Sequence, residues 1–424
     1  MKPSSDTPSY SPTHAVSPEA RVLSGRDAFA FWFSLGIGLL VLQAGALLVP
    51  ALSLPQAMAA ILLGTTLGVL LLAAAGTVGA DTGMAAMAAL APVLGRRGAA
   101  LPAVLNVVQL FGWGAFELIV MRDAANALSL RAFGTSHALL WTLAFGIAAT
   151  ALAIAGPLSF VRRFLRTWGM WILLAAAAWL SGDLLRHGAW QSLWHRPAAG
   201  GLSFGLGLDL VIAMPLSWLP LISDYSRYAR RAGPAFAGTA LGYGIANIWF
   251  YTLGAAYGLL GGGDMLTRSL AMVGGGFALL LILVDEIDNA FVDVHSAAVS
   301  GGVLLPAVGT RRLSLAFGSV ITLIALSVPM ARYENFLLLI GSVFAPLFGV
   351  VLSEHFFLNR RRAASGNAAS SAWRGLTFLS WAVGVASYHA ITHLLPNLGA
   401  TLPALLIAGL CHALLAGARR RRFA

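Results

Sequence analysis

Residues 284–295 read VDEIDNAFVDVH. Asp285, Glu286, Asp288 and Asp293 put four carboxyl groups into nine positions of a chain that has sixteen Asp and Glu in all. The run follows the apolar GGGFALLLILV and precedes SAAVSGGVLLP. Carboxylates crowded into an apolar segment cannot all stay charged and unpartnered. They must share protons, hold a metal ion or pair with Arg. On a helix turning about 100° per residue, Asp285, Asp288, Asn289, Val292 and Ser296 fall along one stripe, with Glu286 and Asp293 beside it. Leu283, Ile287, Ala290, Phe291, Val294 and Ala298 fall on the opposite side. The pattern predicts a helix with one face toward lipid and the carboxylates toward the protein interior. A structural ion-pair network is the competing reading, but no Arg sits deep in any other apolar segment. Asp293 and His295, placed farther along toward the cytoplasmic half, are expected to serve packing or a gate.

A second constellation lies at 105–128, LNVVQLFGWGAFELIVMRDAANAL, with Gln109, Trp113 and Glu117. Trp113 and Glu117 are four residues apart and share a helical face. An indole with a hydrogen-bonding group one turn away makes a floor for a flat heteroaromatic ring. An interfacial Trp is the plainer alternative, and it is weakened by the mid-segment position of Trp113.

The elements that must position these residues are membrane spans. Of the 424 residues, 58% are hydrophobic and 10% charged, and many uncharged runs reach the length of about 20 residues that crosses a bilayer as a helix. Twelve spans are expected near 27–53, 56–78, 98–121, 136–156, 164–183, 203–222, 235–260, 270–304, 311–331, 333–357, 375–394 and 397–417. With the N-terminus inside, 21 of the 27 basic residues fall on the inner side. The outer six are Arg122, Arg131, Arg186, Arg196, Arg268 and Arg332. That bias orients both termini toward the cytoplasm. It also accounts for the net charge of +11 through inner-leaflet lipid, without nucleic acid. Residues 1–26 read as a disordered cytoplasmic tail with no signal-peptide core, and 418–424 as a basic cytoplasmic tail. The single Cys411 excludes an internal disulfide framework.

Two spans look interrupted. The first holds Gly36, Gly38, Gly45, Pro50 and a mid-depth Gln43; the sixth holds Gly205, Gly207, Asp209, Pro215 and Pro220. Each proline removes a backbone donor, and unpaired backbone at membrane depth survives only against protein or a cavity. Broken helices five spans apart point to an inverted-repeat transporter with its site between the breaks.

MPLSWLPLISDYSRYAR (214–230), the segment at 105–128 and VDEIDNAFVDVHSAAVS (284–300) resemble the nucleobase:cation symporter-1 family, and within it the CytX group of hydroxymethylpyrimidine transporters. The resemblance runs from about residue 25 to 400. It implies an all-α, twelve-helix LeuT-like fold: one repeat over about 27–183, a second over about 203–357, and extra helices over about 375–417 in a transporter domain spanning 27–417. It implies symport of a pyrimidine-type nucleobase or hydroxymethylpyrimidine across the inner membrane, with H+ or Na+ as coupling ion and no cofactor. By the same resemblance Gln43, Trp113 and Glu117 bind substrate, with Trp218 beside Met214 in the wall and Asp288 and Asn289 facing the ring. The carbonyls of Leu39 and Leu42 match backbone cation ligands. Asp285 and Glu286 stand where relatives offer neutral hydroxyls to sodium, a departure that makes proton coupling credible.

Two other classes compete. Cytosine, a purine or an allantoin-like ring would suit the same family. A membrane-embedded prenyltransferase-like enzyme would need a second Asp-rich motif, which is missing. A Gly-x-Gly-Asp string at Gly261–Asp264 resembles that of intramembrane aspartyl proteases but falls in an expected external loop.

Overall fold

The computed structural model describes residues 12–156, 170–188, 190–260, 275–358 and 373–421. Among these it is helical, with one isolated backbone bridge between Leu23 and Ala229 and no sheet. The first expected span is broken. Helix α1 (Gly25–Leu35) starts from a capping box in which Ser24 and Asp27 satisfy each other's backbone amides. It stops at Gly36, and α2 (Leu39–Leu47) continues at 59° to it. Four helices complete the first half: α3 (Leu54–Thr82), α4 (Ala100–Phe133), α5 (Ala138–Ala155) and α6 (Met170–His187).

The second half opens with α7 (Phe204–Ser217), which carries Pro215 inside it. A turn at 218–221 containing Pro220 separates it from the short α8 (Ile222–Ser226). Then follow α9 (Ala232–Leu260), α10 (Gly275–Leu304), α11 (Thr310–Ala325) and α12 (Tyr333–Ser353), the last running into a π-helical turn at Glu354–Leu358. Two further helices, α13 (Gly375–Leu394) and α14 (Thr401–Arg421), close the chain.

A helix stands at each of the twelve expected positions. Among the described residues, six helical runs are long and apolar enough to cross a membrane, Phe204–Ser226 among them, and the bent pair α1–α2 makes a seventh. The helix α4 runs on to Phe133, so Arg122 and Arg131 sit on a helix rather than in the expected loop. Arg122 pairs with Asp123 at 2.7 Å and donates to the Ala325 carbonyl at 3.2 Å.

The element carrying the acidic run, α10, packs against α4, α5, α6 and α11. Ala290, Phe291, Val294 and Ala298, expected on a lipid face, are all buried, and Ile287 is partly so. That face meets neighbouring helices, which are as apolar as lipid, so the amphipathic pattern marks the polar side of α10 and not an exposed side.

Residues 12–24, expected to belong to a disordered tail, are docked. The Val16 amide donates to Gly83 at 2.9 Å, Arg21 reaches the Ala80 carbonyl at 3.0 Å, and Leu23 pairs with the backbone of Tyr228 and Arg230. Several expectations fall outside the described residues: the tail over 1–11, Arg162, Arg163 and Arg166, the string at Gly261–Asp264, Arg268 and Arg360–Arg362. The side chain of Asp285 does as well.

Candidate functional site

The two breaks open onto one cavity. From the first span come Leu35, Gly38, Leu40 and Val41; from the sixth come Met214, Ser217, Trp218 and Leu221. Trp113 and Glu117 of α4, Tyr243 of α9, and Glu286, Asn289 and Asp293 of α10 complete the lining. The free volume is about 20 Å³, enough for one or two waters. A six-membered ring therefore enters only if the broken segments move relative to α4 and α10.

The break in the sixth span is held by α4. A helix end leaves carbonyls without partners, and Pro220 has no amide to contribute. Gln109 donates to the Ser217 carbonyl at 3.3 Å and to Asn106 at 2.8 Å. Asn106 in turn donates to the Pro220 carbonyl at 3.2 Å and to the Ser300 hydroxyl at 2.8 Å. Trp218 donates its indole N–H to the Tyr243 hydroxyl at 2.8 Å, and the edge of Trp32 meets both rings at 5.9 Å.

The break in the first span is held by α10. The Leu39 amide at the start of α2 donates to Glu286 Oε1 and Oε2 at 3.1 and 3.0 Å, with the Leu40 amide beside it. A helix N-terminus with exposed amides favours an anion. Glycine at 38 allows the carboxylate to come this close, because a Cβ there would stand 3.1 Å from Glu286 Oε1. On the other side of the break, the Ser34 hydroxyl of α1 donates to Asp288 Oδ2 at 2.7 Å.

Glu117 and Glu286 face the same cavity as close neighbours. Three buried polar atoms of lining residues lack any partner: the indole Nε1 of Trp113, Oε2 of Glu117 and the amide oxygen of Asn289. They amount to one donor and two acceptors on a wall otherwise made of rings and aliphatic side chains. The Trp113 indole is fixed edge-on by Tyr333 at 5.8 Å and Phe336 at 5.5 Å.

Of the residues singled out from sequence, the structure brings together Trp113, Glu117, Trp218, Glu286 and Asn289. Gln43, half-buried on α2, does not line the cavity. Asp288 does not either; it faces α1 through Ser34. Asp293, expected to serve packing or a gate, does line it. Its place seven residues after Glu286 on the same helix was the available signal.

Of the expected cation set, the side chain of Asp285 lies outside the described residues, and the other three members are placed as follows. Glu286 accepts from the Leu39 amide through both oxygens. The Leu42 carbonyl oxygen lies against Gly254 of α9, where a Cβ would collide with it. The described residues hold no cluster of three or more His, Cys, Asp or Glu arranged for a metal. The segment SDYSRYAR (223–230) lies away from this cavity. Tyr225 lies tilted against Phe31 at 4.7 Å and meets Ser296 at 3.2 Å, Asp224 accepts from the Ala86 amide at 2.9 Å, and Arg227 is fully buried over the Tyr228 ring. Sequence reasoning missed this buried Arg, which lies just past the expected end of the sixth span.

A family model described as permease for cytosine/purines, uracil, thiamine, allantoin matches residues 15–407. The chain is similar to the hydantoin permease of Microbacterium maritypicum, 24% identical over 438 residues, covering 96% of this chain and 87% of that protein. It is similar to the cytosine permease of Escherichia coli (strain K12), 25% identical over 354 residues, covering 80% and 79%. Among solved structures, Mhp1, a nucleobase-cation-symport-1 family transporter, in a closed conformation with bromovinylhydantoin bound, superposes with a TM-score of 0.81. It is 20% identical and covers 97% of this chain and 96% of that one. The overall architecture is thus that of an all-helical, LeuT-like transporter.

Proposed function

We propose a transport function from this premise: the chain belongs to the family of permeases for cytosine/purines, uracil, thiamine and allantoin. It is a multi-pass membrane permease, and its relatives are transporters, not enzymes. In our reading the cargo is a pyrimidine-type heteroaromatic ring bearing an amine, of which hydroxymethylpyrimidine and cytosine are the leading examples, carried inward across the inner membrane with a cation. Both termini lie in the cytoplasm in this reading.

The observation that carries it is one cavity lined by Trp113, Glu117 and Asn289, each with a buried polar atom that has no partner in the protein: the indole N–H, Oε2 and the amide oxygen. Each such atom costs about 1–3 kcal/mol while unmet, so a ligand that meets all three gains affinity a plain apolar cavity could not offer. A 4-aminopyrimidine offers N–H groups to the two acceptors, a ring nitrogen to the in-plane N–H of Trp113, and a flat face to Trp218. Uracil presents a carbonyl where the amine would stand and leaves an acceptor unmet.

The test is uptake of labelled cytosine by cells expressing the protein, with hydroxymethylpyrimidine, uracil, hypoxanthine, hydantoin and allantoin as competitors. Strong competition by the two amino-pyrimidines and weak competition by uracil supports the reading. Preference for hydantoin, allantoin or a purine replaces it with the corresponding ring.

A further inference from the structure

We infer, on the permease reading, that Asp209 is a positioning residue for transport. It fastens α7, the first half of the broken sixth span, to the start of α14, so that the C-terminal helices set where one wall of the cavity stands. Asp209 is 4% exposed, and it accepts from the Ala400 and Thr401 amides, the latter at 3.1 Å. The first amides of a helix have no partner within it, and a short polar side chain just before the helix normally meets one of them. Gly399 and Ala400, which precede α14, have no side-chain acceptor, and the partner comes from 191 residues back in sequence. Among the described residues no Lys, Arg or His pairs with Asp209. A carboxyl group inside an apolar span is costly, so its dedication to these amides points to a task at that joint.

The two elements are also pressed together at the backbone. Gly205, one turn before Asp209, lies on the Asn397 carbonyl, and Gly399 lies on the Gly205 carbonyl; a Cβ at either place would collide. Gly399 also has φ +78°, which only glycine adopts freely. The Ser203 hydroxyl donates to the Pro396 carbonyl at 3.2 Å. In turn α14 is fixed to α12. Gly349 of α12 lies on the Leu405 carbonyl with no room for a Cβ, and His412 pairs with Glu354, just past α12, at 3.0 Å. From α13 the Trp381 indole donates to the Val343 carbonyl at 2.9 Å and the Tyr388 hydroxyl to the Leu338 carbonyl at 3.3 Å. The helices α12, α13 and α14 thus form one block, and α7 is fastened to it.

What α7 carries gives the joint its consequence. Met214 and Ser217, with Trp218 and Leu221 in the turn just past it, line the cavity. Met214 is five residues after Asp209, about 7.5 Å along the helix axis. At its other end α7 is held by Gln109 of α4 through the Ser217 carbonyl at 3.3 Å. Admitting a ring moves the broken segments relative to α4 and α10. Of the two holds, one is a single neutral hydrogen bond and the other is two amides on a buried carboxyl with backbone against backbone. The first slips and the second stays, so α7 keeps its place on α12–α14 while cargo enters.

Hydrogen–deuterium exchange of the purified full chain reads the joint without cargo. Asp209→Ala should speed exchange in the first turn of α14 and also along 210–218. Asp209→Asn keeps an acceptor oxygen and should restore most of the protection. Faster exchange confined to 400–404, with 210–218 as in wild type, overturns the inference, because Asp209 would then only cap α14. In uptake of labelled cytosine, Asp209→Ala should raise KM by about fivefold, the low end of coupling between separate sites. The maximal rate per folded molecule should change little, and Asp209→Asn should recover most of the KM. An unchanged KM in Asp209→Ala overturns the inference. A third measurement keeps Asp209 and decides the matter where Asp209→Ala does not fold. Ser203→Cys and Pro396→Cys in a Cys411→Ala chain, bridged by a short bifunctional methanethiosulfonate, should transport as well bridged as after cleavage with dithiothreitol. No bridging, or transport lost on bridging and regained on cleavage, shows that α7 and α14 part during the cycle and overturns the inference. If wild type takes up no ring at all, the permease reading fails, and the exchange measurement still decides the joint.

Discussion

Replacing Trp113 with Phe separates a ligand-binding indole from a packing one by changing two measured quantities differently. The indole nitrogen of Trp113 is buried without a partner, and the ring is 6% exposed between the edges of Tyr333 and Phe336. A phenyl ring keeps most of those aromatic contacts, each worth about 0.5–1.5 kcal/mol, and loses the five-membered ring. It also removes an unmet donor, which relieves about 1–3 kcal/mol of desolvation cost. The two terms oppose each other, so the free protein should melt within a few degrees of wild type. Binding changes in one direction only. If the indole donates to a ring nitrogen or carbonyl of the cargo, its loss costs about 0.5–1.5 kcal/mol, or roughly a two- to tenfold rise in Kd. Trp113→Ala removes the N–H and the rest of the ring together, with the same binding loss and about 3–5 kcal/mol of core destabilisation. Calorimetric titration of whichever pyrimidine binds wild type, beside thermal melts of the three proteins, gives both numbers. If Trp113→Phe binds as wild type yet melts as low as Trp113→Ala, Trp113 is a packing residue and the donor–acceptor match is wrong.

Glu117→Gln offers a donor beside its acceptor, so it should narrow the gap between cytosine and uracil in competition assays; equal competition by the two in wild type would remove the proposed role of Glu117. Asn106→Leu and Gln109→Leu leave the Pro220 and Ser217 carbonyls unmet at the break, and each should cost about 1–3 kcal/mol of stability. Unchanged melts in both would mean that the turn at 218–221 needs no support from α4. A cysteine introduced near the C-terminus of a Cys411→Ala protein should resist an impermeant maleimide in intact cells, and labelling from outside would reverse the expected orientation.

The helices were legible because length and apolarity are one-dimensional signals. The break at Gly36–Gly38 and the prolines of the sixth span were legible because those residues leave backbone groups unpaired wherever they fall. The facing of α10 was only half legible. Its polar stripe was found, but the apolar side at Ala290, Phe291 and Val294 touches other helices, and hydropathy cannot tell a protein neighbour from a lipid chain. The partner of Glu286 was not legible either. Its contact with Glu117 joins residues far apart in sequence, and nothing local at 117 or 286 announces it. Gln109 illustrates the same limit: its type and depth were noticed, but its role in holding the Ser217 carbonyl depends on how α4 and α7 meet. Residues 12–24 are polar and rich in Ser and Pro, yet backbone bonds to Gly83, Tyr228 and Arg230 order them, and composition carries no trace of such partners.

The arrangement gives a physical reason for placing acids inside an apolar helix. The unbroken helix α10 holds both sides of the first break, Asp288 through Ser34 of α1 and Glu286 through Leu39 of α2. The unbroken helix α4 holds the second break through Asn106 and Gln109. These two supports meet at the Glu117–Glu286 contact. The cavity between the breaks is too small for a ring in the arrangement seen here, so admitting cargo already requires the supports to shift. A segment that must be apolar to cross the bilayer thus keeps Glu286 and Asp288 on the face that meets the broken helix, where backbone amides and a hydroxyl meet them.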